Sequence, residues 1–247
     1  ERNHKKIQNG IVSHAVSAFT QETKDMTYKT ETIREDDFTA MMGDSIERIQ
    51  EIPDESIDYS IYSPPFSELY TYSASTRDLG NSKNDEEFFS HYEFLAKDLL
   101  RVMKPGRLMS VHCMLLPHKK FKDGYIGLKD FRGDIIRLFQ RTGFIFSAEV
   151  TIWKDPVTQM QRTKSLTLLH KQIKKDSSMS AMGLADYIVT FRKPGENKNP
   201  ISHTQENFPV DMWQKIASPV WMDIRQSNTL QKTSARDDAD EKHICPL

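Results

Sequence analysis

The chain has 247 residues, of which 37% are hydrophobic, enough to bury one domain core with or without an appendage. Its formal net charge of -1 excludes a protein coated in basic charge, and its two distant cysteines, Cys113 and Cys245, exclude a disulfide framework or a cysteine-rich zinc site. No apolar run approaches the roughly 18 to 20 residues of a membrane span and the N-terminus has no signal-peptide core, so the expectation is a reduced, cytoplasmic protein without a membrane partner.

Residues 1–35 are polar and without sustained periodicity, and read as a helix-containing N-terminal extension to a domain over 36–247. Phe38–Met42 is a short apolar run ended by Gly43-Asp44, and Ser45 can cap a helix through Gln50. Pro53-Asp54-Glu55 breaks that helix, and Ile57–Tyr62 follows as a β-branched and aromatic strand. It runs into Ser63-Pro64-Pro65-Phe66, where two prolines end any ladder and leave the next residues at the carboxyl edge of a sheet. That edge is where open α/β sheets bind ligands. Phe88, Phe89, Tyr92, Leu95, Leu99 and Val102 are spaced as one face of a helix over 85–102, which Lys104-Pro105-Gly106 should stop. Leu108–Met114 is then a strand, and strand, helix and strand imply a βαβ unit in a parallel sheet. A helix over 130–141 stopped by Gly143, a strand over 144–153, a strand over 186–191, a loop over 194–209 and a mixed tail complete the chain.

The tetrapeptide carries the chemistry. An exocyclic base amine is a poor nucleophile, because its lone pair is delocalised into the ring. A side-chain oxygen at Ser63 and the carbonyl of Pro64 could both accept from that amine and localise the pair, Pro65 would stiffen the turn, and Phe66 would give a flipped-out base a stacking surface. Ser63 lacks a Gly-x-Ser-x-Gly setting, which weighs against a hydrolase nucleophile, and no histidine pair has metal-ligand spacing, so no metal is expected. His112, inside an apolar strand, reads as a satisfied core histidine.

On these residues the chain resembles the DNA amino-methyltransferases of the N4-cytosine and N6-adenine type. Further matches are Gly43-Asp44, Arg101–Gly106, Ile152-Trp153-Lys154 and Phe191–Gly195, with Gly124–Gly133 and His243–Leu247 resembling phage and prophage methylases. The resemblance implies an α/β, Rossmann-like S-adenosylmethionine-dependent methyltransferase fold with a mostly parallel sheet, and methyl transfer to a flipped-out base of double-stranded DNA. Serine in the first position favours N4 of cytosine, with N6 of adenine the alternative. No Gly-x-Gly occurs, although this fold binds its cofactor at a glycine-rich turn. In permuted members the catalytic tetrapeptide precedes that turn, so the chain, opening at Glu1 and ending at Leu247, is expected to stop short of the cofactor strand within a longer product. A non-catalytic DNA-binding or assembly subunit is the reading from another class.

The remaining candidates are less specific. Asp44 could face the cofactor adenine or simply cap the next helix, and the resemblance places His243 and Pro246 near the methionine end of the cofactor. Arg162, Lys164, Lys171, Lys174 and Lys175 form an acid-free run within a basic recognition region at about 155–185. Such a run could contact DNA or be a solvated helix face. Tyr70 and Tyr72 could stack on bases. A homodimer and a restriction partner are both compatible with the sequence.

Overall fold

The computed structural model describes residues 30–67, 75–118, 120–163, 166–179 and 182–224. The chain divides into two compact units that interleave in sequence: residues 1–56 with 67–102, and residues 57–66 with 103–247.

In the first unit, β1 (Glu31–Arg34) and β2 (Thr39–Met42) form an antiparallel hairpin, so part of the expected helix-containing extension is strand. Asp44, rather than Ser45, caps the short helix α1 (Ser45–Arg48) by accepting from the Ile46 amide at 2.9 Å. Its other carboxylate oxygen pairs with Arg77 at 3.0 Å. The long helix α2 (Asp85–Val102) forms where the apolar spacing places it, with Phe88, Tyr92, Ala96 and Leu99 on its buried face. Near its end the Arg101 guanidinium donates to the carbonyls of Ile49 and Ile52 at 3.0 Å each and pairs with Asp54 at 2.6 Å and Asp98 at 3.1 Å. One side chain thus ties the turn after α1 to the end of α2.

The second unit is built on a five-stranded sheet. Its strands are β3 (Ile57–Tyr62), β4 (Met103–Met114), β7 (Ile145–Ile152), β8 (Asp186–Arg192) and β9 (Val220–Trp221), in the order β3-β4-β8-β7-β9. The sheet is mixed rather than mostly parallel: β3 with β4 and β7 with β9 are parallel, while β4 with β8 and β8 with β7 are antiparallel. The βαβ expectation holds for β3 and β4. A strand buried on both faces shows the same apolar run whichever way it points, which is why the direction of β8 is not legible in sequence. Between β4 and the next long helix, β5 (Leu116–His118) and β6 (Gly127–Lys129) pair as an antiparallel hairpin, with α3 (Lys120–Asp123) between its strands.

Lys104-Pro105-Gly106 follows the end of α2 without interrupting β4, which starts at Met103; the β3–β4 register shifts there, with Ile57 opposite Met103 and Tyr59 opposite Leu108. Gly106 has φ +73, and a Cβ on it would lie 2.7 Å from the Asn197 backbone nitrogen. α4 (Phe131–Thr142) starts at the Asp130 cap and ends at Gly143 in the left-handed conformation. It packs on β4, β7 and β8 through Phe131, Ile135, Leu138 and Phe139, all fully buried. Phe139 and Phe191 meet at 4.8 Å between ring centres, with Phe144 and Phe146 against Phe191 at 6.3 and 6.1 Å. Phe139, Phe144 and Phe191 are buried, and each such ring removed from water contributes about 1.5–3 kcal/mol. This aromatic cluster fixes the sheet that presents the site.

The segment between β7 and β8 is helical in pieces, α5 (Pro156–Thr163) and α6 (His170–Lys175), and α7 (Val210–Ile216) precedes β9.

Candidate active site

Ser63 follows the last residue of β3, and the parallel register carries it next to His112, since Tyr62 lies opposite Val111. Across the next boundary His112 is opposite Ile188 and Met114 opposite Asp186, so His112 and Asp186 are diagonal neighbours on one face. Ile152 on β7 is opposite Asp186 and Lys154 stands two residues beyond it. Period-two alternation therefore gathers Ser63, His112, Asp186 and Lys154 from four strand ends.

The contacts are continuous. Ser63 Oγ lies 3.2 Å from His112 Nδ1, and His112 Nε2 lies 3.0 Å from Asp186 Oδ2. Lys154 Nζ forms an ion pair with the same Asp186 oxygen. The second oxygen, Asp186 Oδ1, is buried without a hydrogen-bond partner among the described residues. Burial by itself raises the Asp186 carboxyl, but the His112 hydrogen bond and the Lys154 charge outweigh it and hold the group below its ordinary value. Asp186 is thus a buried carboxylate kept ionised by two neighbours. The Ser63 hydroxyl is also 3.4 Å from the His112 carbonyl, a second acceptor.

Pro64 is buried, while Ser63 is exposed and Phe66 half-buried. The Phe66 ring lies 5.8 Å from the His112 ring and 6.3 Å, edge-on, from Phe131. It is held on two sides by aromatic neighbours and leaves surface uncovered. Behind the site Arg132 stacks on Tyr187 at 4.6 Å and pairs with Glu149 at 3.1 Å. Cys113, next to His112 in sequence, is buried, and desolvation together with the Glu149 charge pushes its thiol up to about 12, so it is no nucleophile.

The sequence-derived candidates fare unequally. Ser63, Pro64, Pro65 and Phe66 stand together at the carboxyl end of β3. His112, a core histidine by its sequence setting, has partners at both ring nitrogens, but its side chain is 23% exposed and opens onto Ser63. Asp186 and Lys154 are site residues that sequence reasoning misses. The signal for all three is a polar residue at a strand end that faces the ligand edge. Asp44 falls in the other unit, where its carboxylate is occupied as a cap and by Arg77. Lys171, Lys174 and Lys175 are on α6, and Arg162 belongs to α5. Tyr70, Tyr72, Lys164, His243 and Pro246 lie outside the described residues. Among the described residues no group of His, Cys, Asp and Glu is disposed to hold a metal ion.

No family model matches the chain, and no curated protein matches its sequence. Among solved structures it is similar to a Thermus thermophilus protein assigned as a DNA modification methylase, complexed with S-adenosyl-L-methionine. The TM-score is 0.54 and the identity 18%, over 74% of this chain and 65% of that one. The selenomethionine derivative of the same protein gives 0.53 and 17%, with the same coverage. The PvuII DNA methyltransferase, cytosine-N4-specific, aligns with a TM-score of 0.48 and 16% identity over 76% of this chain and 58% of that one. The chain thus spans less than two thirds of the length of each of these proteins. At such identities the likeness speaks for architecture alone, and the protein has an α/β, Rossmann-like fold similar to that of the Thermus protein.

Proposed function

We propose that the protein is a DNA methyltransferase that acts on an exocyclic base amine, N4 of cytosine in preference to N6 of adenine. The observation that carries this is the position of Ser63-Pro64-Pro65-Phe66 directly after β3, with the Ser63 hydroxyl and the half-buried Phe66 ring both beside His112. Ser63 and the Pro64 carbonyl accept from the amine and localise its lone pair. Phe66 receives the flipped base. Neither role needs a covalent intermediate, and the inert thiol of Cys113 agrees with chemistry at nitrogen rather than carbon. Arg162, Lys164, Lys171, Lys174 and Lys175, with Tyr70 and Tyr72, are the proposed duplex contacts.

The methyl donor of this reading is S-adenosyl-L-methionine, whose sulfonium supplies the transferable methyl group. The described residues do not make a cradle for it. None of the ten glycines forms a Gly-x-Gly turn, Asp44 is already engaged, and His243 and Pro246 lie outside the described residues. What the described residues contribute is the acceptor side of the reaction. A second reading, from another class, is a DNA-binding or assembly subunit.

Phe66 separates the two. In a duplex carrying 2-aminopurine at the target position, the complete polypeptide should raise the fluorescence of the extruded base, and Phe66→Ala should weaken binding by about 1–3 kcal/mol and cut methyl transfer on the order of 100-fold. Binding with no methyl transfer and no response to Phe66→Ala would leave the subunit reading standing.

A further inference from the structure

We infer that His112, oriented by Asp186, takes the proton that leaves the target amine by way of Ser63, so that hydroxyl, imidazole and carboxylate form one proton path. The inference rests on the amine-methylation reading above and specifies where its proton goes.

The geometry fixes the direction. Asp186 is an ionised carboxylate and can only accept, so His112 Nε2, 3.0 Å from it, is the ring nitrogen that carries hydrogen in this path. Nδ1 is then left with its lone pair facing Ser63 Oγ at 3.2 Å. The single Ser63 O–H has two acceptors in reach, this lone pair at 3.2 Å and the His112 carbonyl at 3.4 Å; donated to either, it leaves the serine oxygen free to accept from a base amine, and donated to the nearer Nδ1 it opens the proton path. That is the polarity its proposed role requires, since a hydroxyl that donated towards the base would compete for the nitrogen lone pair. The register places these three side chains on one face for reasons of strand pairing, yet the chain of hydrogen bonds it yields has a defined sense from outside to inside.

The proton count closes. Once methylated, the amine nitrogen has four bonds and a positive charge. The electrons of one N–H bond stay on nitrogen, the proton passes to Ser63 Oγ, and the former Ser63 proton passes to His112 Nδ1. Serine ends unchanged, and His112 ends as an imidazolium against Asp186. Lys154 on the same oxygen balances the carboxylate before the proton arrives. The partly exposed ring can then release the proton to water. His112 touches the substrate only through Ser63 and is therefore a positioning residue that also stores a proton.

The test uses the complete reading frame as wild type, His112→Ala and, should that variant fold poorly, His112→Gln. Nitrogen-15 spectra of the histidine rings should show His112 protonated at Nε2 and not at Nδ1 in the neutral wild type. In methylation kinetics His112→Ala should lower kcat on the order of 100-fold, with KM for DNA little changed, and added imidazole should restore turnover several-fold. A ring protonated at Nδ1, or His112→Ala and His112→Gln both turning over at the wild-type rate, would overturn the path while leaving amine methylation intact. Wild-type protein that methylates no DNA would instead contradict the underlying reading and the path with it.

Discussion

Asp186 shows how one residue is fixed by its surroundings. Its carboxyl is buried, and only the His112 hydrogen bond and the Lys154 ammonium keep it charged. Because the folded value is depressed, its contribution to stability is present above the unfolded value and is lost as pH falls through the folded one. Asp186→Asn is expected to destabilise the fold by about 1–3 kcal/mol near neutrality. In urea titrations the gap to wild type should narrow below about pH 4; a gap independent of pH would contradict the ionised pair. Cys113 gives the opposite case, a group silenced by burial. Peptide mapping after a short exposure to a thiol reagent at about pH 8 should find it unmodified in native protein and modified in urea. Modification in the native state would contradict its burial. The tetrapeptide is legible because its four residues are contiguous, whereas the partners of His112 lie 49 and 74 residues away. Nothing local to His112 distinguishes a core histidine from one that faces Ser63; the distinction needs the register of three strands.

At the scale of elements, periodicity carries most of the information. α2 and α4 follow their apolar spacing, and Asp130 and Gly143 bound α4 as cap and stop. The strands around the site also emerge from their residue types, although β4 begins well before the expected Leu108. What is not legible is pairing: the direction of β8, the polar β1 as the partner of β2, and the β5–β6 hairpin. These depend on partners rather than on the strand's own residues. Gly106 illustrates a feature read only in part. Lys104-Pro105-Gly106 has the composition of a helix stop, but its second role is a left-handed position in a bulged strand, where Asn197 leaves no space for a Cβ. Gly106→Ala should cost about 1–3 kcal/mol in thermal or urea unfolding; a neutral outcome would mean that the bulge and the Asn197 loop can separate without loss.

The whole molecule is two units of interleaved sequence, and the second brings the candidate chemistry to one edge of its sheet. Among the described residues β3 is one of the two edge strands of that sheet, with Tyr59 and Ile61 exposed, and Ser63 follows directly from it. The fold likeness at 18% identity explains why architecture persists where sequence comparison finds nothing: burial and strand order constrain residue type far more loosely than they constrain backbone path. No helix among the described residues is long and apolar enough to cross a membrane. On the proposed function, Ser63 prepares a base amine for methylation. The most direct test is nucleoside mass spectrometry on DNA from cells that express the complete reading frame, beside a Ser63→Ala control. The account predicts N4-methylcytosine, or N6-methyladenine on the alternative base, only where Ser63 is intact. Equal methylation in the Ser63→Ala cells, or none in either although the protein is folded and binds S-adenosyl-L-methionine, would contradict it.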